Sequence, residues 1–265
     1  MSKQALRYGL LVVGVLSGLL AAGYFLQLPW ALGTWPWPEG RLSNIFVSSI
    51  LAAVAAAMLW TGISGRLAGA AGGFLHVATM LGGAASVLWP LGLQRAQPGL
   101  TAYAVGCTVA ALACIAAFLW VRRLPVVDDR PLPPALRVWC VLYILILVPA
   151  GAALILRVPG IMPWPLKPET SVIYGWVFVS AVWSFAYPLL RPRVEHIGVG
   201  LVGFLAYDAV LIVPFARHLE TVRPELRTSL VLYLLALTAS AGVSVYYLLL
   251  SRGTRTRRLP APGPA

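Results

Sequence analysis

Charge is what this chain has least of. Only 11% of its 265 residues are Asp, Glu, Lys or Arg, against about 25% in an ordinary soluble domain. That scarcity excludes a water-soluble globule, whose surface would need many more charges. Acid is rarer than base, eight carboxylates against twenty basic side chains, and almost all of these charges lie between apolar runs. Cysteine is limited to Cys107, Cys114 and Cys140. With no closely spaced pair, no thioredoxin-like motif and no zinc spacing, the three read as small buried hydrophobes. Histidine is limited to His76, His196 and His218. The last two would stand about 33 Å apart on one helix, too far to hold one haem between them. A glycine-rich phosphate loop with its lysine, an HExxH pair and a GxSxG elbow are all missing. No cofactor and no metal is therefore expected, and hydrolytic or phosphoryl-transfer chemistry has no recognisable machinery.

What the chain does have is apolar length. Hydrophobic residues make up 60% of it, and eight stretches can cross about 30 Å of hydrocarbon: 8–28, 43–61, 69–89, 101–121, 136–156, 171–189, 197–216 and 228–250. The second and sixth are the shortest. Helices are expected because an unpaired backbone amide in lipid costs several kcal/mol, and runs such as Val141–Val148 lack the alternation of a barrel strand. Lys3 and Arg7 precede the first span in the manner of a signal peptide. Its apolar run is too long for that and no small-residue cleavage pattern follows, so it reads as a retained helix. Counting basic residues puts thirteen on the side of the termini and seven on the other, which predicts both termini in the cytoplasm. Arg252, Arg255, Arg257 and Arg258 in the tail would attract anionic lipid headgroups, each by about 1 kcal/mol. No folded recognition module accompanies them, so nucleic acid is not an expected partner.

A three-residue motif occurs twice. Pro36-Trp37-Pro38 returns as Pro163-Trp164-Pro165, 127 residues later, each copy between two apolar runs. Pro90 and Pro214 recur near the ends of the third and seventh spans, at an offset of 124. These recurrences predict a duplication: a four-helix repeat over 1–121, a charged connector over 122–135 acting as the joint, a second repeat over 136–250 and a basic tail over 251–265. Four spans bring the chain back to its starting side, so the repeats would be parallel, related by an axis along the membrane normal. Trp35, Trp37 and Trp164 are expected to anchor the outer interface, with indole N–H groups kept wet. Ser43 and Thr170 are expected to cap the following helices. The glycine series Gly14, Gly18, Ala22 and Gly65, Gly69, Gly73 mark close helix contacts, and Pro149 should kink the fifth span.

Chemistry-bearing residues inside the spans are few. Asp208 is the clearest, since a carboxylate at that depth must be protonated, paired or facing a polar cavity. His76 is the second. At 1.5 Å per residue the two would lie about 22 Å and 15 Å from the inner edge, so a direct bond needs shifted or tilted helices. Tyr207, Tyr174, Ser180 and Ser184 are the further candidates for a substrate or coupling site, with Tyr103, Tyr143 and Tyr187 as additional interhelix donors. Tyr207 points about 100° away from Asp208 around the helix, so the two do not form a pair.

Pro163-Trp-Pro-Leu-Lys-Pro-Glu-Thr170 with Gly175-Trp176, and Gly203-Phe-Leu-Ala-Tyr-Asp208 leading to Pro214, resemble a functionally uncharacterised group of bacterial polytopic inner-membrane proteins over roughly residues 160–250. The resemblance implies a bacterial inner membrane and no particular activity. The residues themselves point first to a permease or channel-like protein for a small neutral or amphiphilic solute, with Asp208 as its coupling or selectivity group. The alternatives are a noncatalytic scaffold or complex subunit, holding a membrane-protein partner through its glycine faces and Trp loops, and an intramembrane enzyme using Asp208 and His76 as acid and base. Membrane lipids are partners on any of these readings.

Overall fold

A computed structural model describes residues 2–251 and 254. Among the described residues the fold is all-α, with eight helices long and apolar enough to cross a membrane. They are α1 (Lys3–Phe25), α3 (Arg41–Ser64), α4 (Ala71–Gln94), α5 (Pro98–Val121), α6 (Pro134–Ile155), α7 (Pro168–Leu190), α8 (Val194–His218) and α9 (Pro224–Val245). A four-residue helix, α2 (Pro29–Leu32), sits in the first loop, and a π turn, Tyr246–Leu250, ends the last span. Arg252, Arg255, Arg257 and Arg258 of the basic tail lie outside the described residues.

Local chemistry sets the helix ends. Proline opens α5, α6, α7 and α9, where its missing N–H costs nothing and its φ is already helical. Ser2 caps α1 by accepting from the Ala5 N–H at 3.1 Å, and Gly65 closes α3 in the left-handed region at φ 70°. The second and sixth spans are not short: α3 has 24 residues and α7 has 23. Hydropathy registers only the lipid-soluble stretch, whereas backbone bonding continues through polar residues to the cap. The chain stays helical through Pro149 in α6, and likewise through Pro90, Pro188 and Pro214. Ser43 and Thr170 do not cap; neither α3 nor α7 has a side-chain cap bond, and both hydroxyls are used elsewhere.

Packing repeats in the way the duplicated motif predicts. Within the halves α1 packs on α3 as α6 packs on α7, and α4 on α5 as α8 on α9; between them α3 packs on α8 and α7 on α4. Exchanging the halves maps each pair onto its partner. Helices α3, α4, α7 and α8 form the centre, and α1, α5, α6 and α9 flank them. Gly14 and Gly18 of the first glycine series face Leu59 and Ala55 of α3, so that face is consumed inside the first half.

At the end carrying the termini, the connector is held by ionic and polar bonds. Arg7 donates to the carbonyls of Gly62 and Ile63 at 3.0 and 3.3 Å, placing a cation at the carboxyl end of α3. Glu195, 1% exposed, accepts backbone N–H groups from Gly69 at 3.2 Å, Val127 at 2.6 Å and Asp128 at 2.7 Å. Asp128 meets Arg130 at 2.5 Å and Arg66 at 3.4 Å. The Leu132 N–H donates to Pro192 O and the Val194 N–H to Arg130 O. The connector is thus strapped to the loops before α4 and α8 and is a packed element of the bundle.

Candidate functional site

A cavity of about 380 Å³ runs inside the bundle, walled by α3, α4, α6, α7, α8 and α9, with Leu10 of α1 at one end. Both halves of the chain contribute to it. Its wall is mostly apolar, and four residues singled out by sequence, Asp208, His76, Tyr207 and Ser184, are among the polar exceptions. Tyr143, Tyr233, His196, Thr61 and Ser229 are the other polar residues of the wall. Tyr174 and Ser180 are fully buried elsewhere. The Tyr174 hydroxyl donates to Ser43 O at 3.1 Å, and the Ser180 hydroxyl bonds within its own helix to Val177 O at 2.8 Å.

Asp208 is the outlier of the wall. It is 0% exposed and neither carboxylate oxygen has a hydrogen-bond partner, an arrangement that costs several kcal/mol unless something else fills the vacancy in its bonding. Three tyrosine hydroxyls near it make bonds to other groups. Tyr143 donates to Ala236 O at 2.9 Å, and the Tyr207 and Tyr233 hydroxyls bond each other. Ser240 on α9 stands beside the carboxylate, close enough to act on it electrostatically but outside hydrogen-bond geometry. His76 does not meet Asp208. Its Nδ1 pairs with the Ser184 hydroxyl at 3.0 Å, joining α4 to α7.

That histidine–serine pair breaks the symmetry of the repeat. At the 127-residue offset His76 corresponds to Gly203 and Ser184 to Ala57. Those two also face each other, a Cβ on Gly203 lying 3.7 Å from the Ala57 Cβ. One interface between halves is therefore polar and its twin is bare. Asp208 corresponds at the same offset to Leu81, so the carboxylate too belongs to one half alone.

The Pro-Trp-Pro loops form the opposite end of the bundle. Trp37 Nε1 donates to the Thr170 hydroxyl at 2.9 Å, and Trp164 Nε1 donates to the Ser43 hydroxyl at 2.9 Å. Both donors and both acceptors are separated by 127 residues, so each half gives its indole to the hydroxyl at the matching place in the other. Glu39 reinforces the first pair through Trp37 Nε1 and the Thr170 hydroxyl, and Lys167 donates to Pro38 O. Trp164 is buried, and Trp35 packs edge-on against Trp37 at 6.2 Å. The Trp37 and Trp164 N–H groups are satisfied by protein hydroxyls where the sequence suggested water.

Tyr233 and Phe204 are cavity residues that the sequence reading missed. Aromatic residues occur throughout the spans, and which of them face inward depends on helix rotation. Among the described residues no cluster of three or more His, Cys, Asp or Glu could hold a metal ion. No family model, curated protein or solved structure matches the chain. The likeness of residues 160–250 to a bacterial group consequently names no family, and the established description is an all-α, polytopic membrane-spanning bundle with a repeated packing pattern.

Proposed function

We propose that the protein is a permease for a small neutral or amphiphilic solute, with Asp208 as its coupling or selectivity group. The observation that carries the reading is a fully buried carboxylate with both oxygens unpartnered on the wall of a cavity built by both halves. A carboxylate that only fastened helices would hold a donor from its neighbour. The parallel halves supply the moving parts: one rocks against the other about the cavity, opening it to alternate sides. We further infer a bacterial inner membrane, from the resemblance over residues 160–250, and both termini in the cytoplasm, from the excess of basic residues on that side.

The scaffold reading loses support from the same packing. Gly14, Gly18, Gly69 and Gly73, the faces that would receive a partner, lie against Leu59, Ala55, Glu195 and Val199 of the same chain.

The test is coupled flux in proteoliposomes with a lumenal pH dye and neutral or amphiphilic solutes such as octylurea added outside. Solute addition should move protons through the unaltered protein. Asp208→Asn, folded by its thermal midpoint, should abolish that movement. Equal proton movement in the variant would remove Asp208 from the mechanism.

A further inference from the structure

The cavity reaches the outer side of the bundle. Ile146 of α6 and Leu232 of α9 both line it, yet they are 52% and 62% exposed on the outside of the bundle. The two helices do not pack along their length. Two bonds bracket the gap instead: Tyr143 OH to Ala236 O on one side, and the Ser229 hydroxyl to Gly160 O on the other. This window lies about 12 Å in from the start of α9 at 1.5 Å per residue, well within hydrocarbon depth.

Inside the window two wall residues carry buried polar atoms without a partner, His196 at Nδ1 and Asp208 at both carboxylate oxygens, and Asp208 is the acceptor of the two that lies among the tyrosines. Asp208 offers two unpartnered oxygens; the Tyr143 hydroxyl donates to Ala236 O, and of Tyr207 and Tyr233 one hydroxyl donates to the other. Aromatic rings line the same wall, the Phe204 ring lying 6.0 Å from that of Tyr143 and 6.2 Å from that of Tyr207. A carboxylate among aromatic faces suits a cation with N–H donors, and the remaining apolar wall suits a hydrocarbon tail. A volume near 380 Å³ falls within the size of small-molecule sites, about 300–1,000 Å³.

We propose that the cavity binds an amphiphilic cation bearing N–H donors, which enters from the bilayer between α6 and α9 and sets its head against Asp208. This deepens the permease reading by naming the substrate class, and it rests on that reading only in using the same cavity. Guanidinium is the best-matched head, because its planar fork meets a carboxylate through two parallel bonds. The tail lies along Leu147, Val177 and Leu237.

The test uses the full chain in lipid nanodiscs, titrated calorimetrically with octylguanidinium and with octylurea, a neutral compound of the same shape, after subtraction of empty nanodiscs. The guanidinium should bind saturably and about tenfold or more tighter than the urea, the gap expected of a charge-assisted hydrogen bond. Asp208→Asn should erase that preference. Equal affinities on the unaltered chain would overturn the inference without any variant being needed, and so would a preference that survives Asp208→Asn. Leu232→Trp, which narrows the window, should slow guanidinium association several-fold in stopped flow, and an unchanged rate would remove the lateral route. Tight guanidinium binding without flux in proteoliposomes would sink the permease reading and leave this site standing. Solute-coupled proton flux with no preference for the cation would do the reverse.

Discussion

Asp208 was legible in the sequence because a lone carboxylate ten residues before the end of an apolar helix has few explanations. What the sequence could not supply was its surroundings. Tyr143 and Tyr233 approach it from α6 and α9, and their hydroxyls turn to Ala236 and Tyr207. Pairings of that kind follow from helix rotation, which hydropathy does not encode. The indole bonds of the Trp loops make a simpler test at this scale. Ser43→Ala leaves the buried Trp164 N–H without its acceptor and should lower stability by about 1–2 kcal/mol. Adding Trp164→Phe removes the orphaned donor, so the double variant should fall short of the sum of the single losses. Thermal midpoints in detergent check both, and strict additivity would mean the bond is not made. Asp128 gives a pH prediction. The bond from the Arg130 guanidinium, with the positive charge of Arg130 and Arg66 behind it, holds its carboxyl below the usual carboxylate range. A depressed folded value stabilises above the unfolded value of about 4, and the stabilisation disappears as the pH falls through the folded value. Midpoints of Asp128→Asn and the unaltered chain should therefore differ at pH 7 and converge below about pH 4; a constant gap would contradict the ion pair.

At the scale of elements, the eight spans could be read in advance because lipid demands about 20 apolar residues per helix. Their ends could not, since capping chemistry decides them: α3 and α7 run on through Arg41–Leu42 and Pro168–Thr170 beyond the apolar stretch. The small-residue contacts were anticipated as a type and located only by packing. A Cβ on Gly175 of α7 would sit 2.7 Å from Gly151 O and 2.8 Å from Ile155 N, both backbone atoms of α6. Gly175→Ala should consequently push the two helices apart and cost about 1–3 kcal/mol, seen as a lower midpoint; an unchanged midpoint would show that the helices are not in contact there. Glu195 was invisible to the sequence, being one more charge in a basic loop. Its carboxylate satisfies three backbone N–H groups from two segments distant in sequence. Glu195→Ala leaves all three donors without their acceptor, those of Gly69 and Asp128 buried, and should cost about 2–3 kcal/mol, with the connector becoming sensitive to protease near Val127.

For the molecule as a whole, the Pro-Trp-Pro duplication foretold paired halves, and the helix packing follows that pairing. Its sequel was hidden, because the two loops exchange bonds at the same offset that relates them. The ends of the bundle are closed by different chemistry: indole–hydroxyl pairs at one, and the Arg66–Asp128–Arg130 cluster with Glu195 at the other. The cavity between them departs from symmetry where His76, Ser184 and Asp208 stand opposite Gly203, Ala57 and Leu81 in the twin half. A permease of this design has to expose that cavity to each side in turn. The direct measurement places a single cysteine at Ala181, a buried cavity-wall position, in a chain with Cys107, Cys114 and Cys140 replaced by alanine. A membrane-impermeant thiol reagent is then applied to either face of oriented proteoliposomes. The account predicts labelling from both faces, with each rate slowed by octylguanidinium. Labelling from one face only, or from neither, would contradict it.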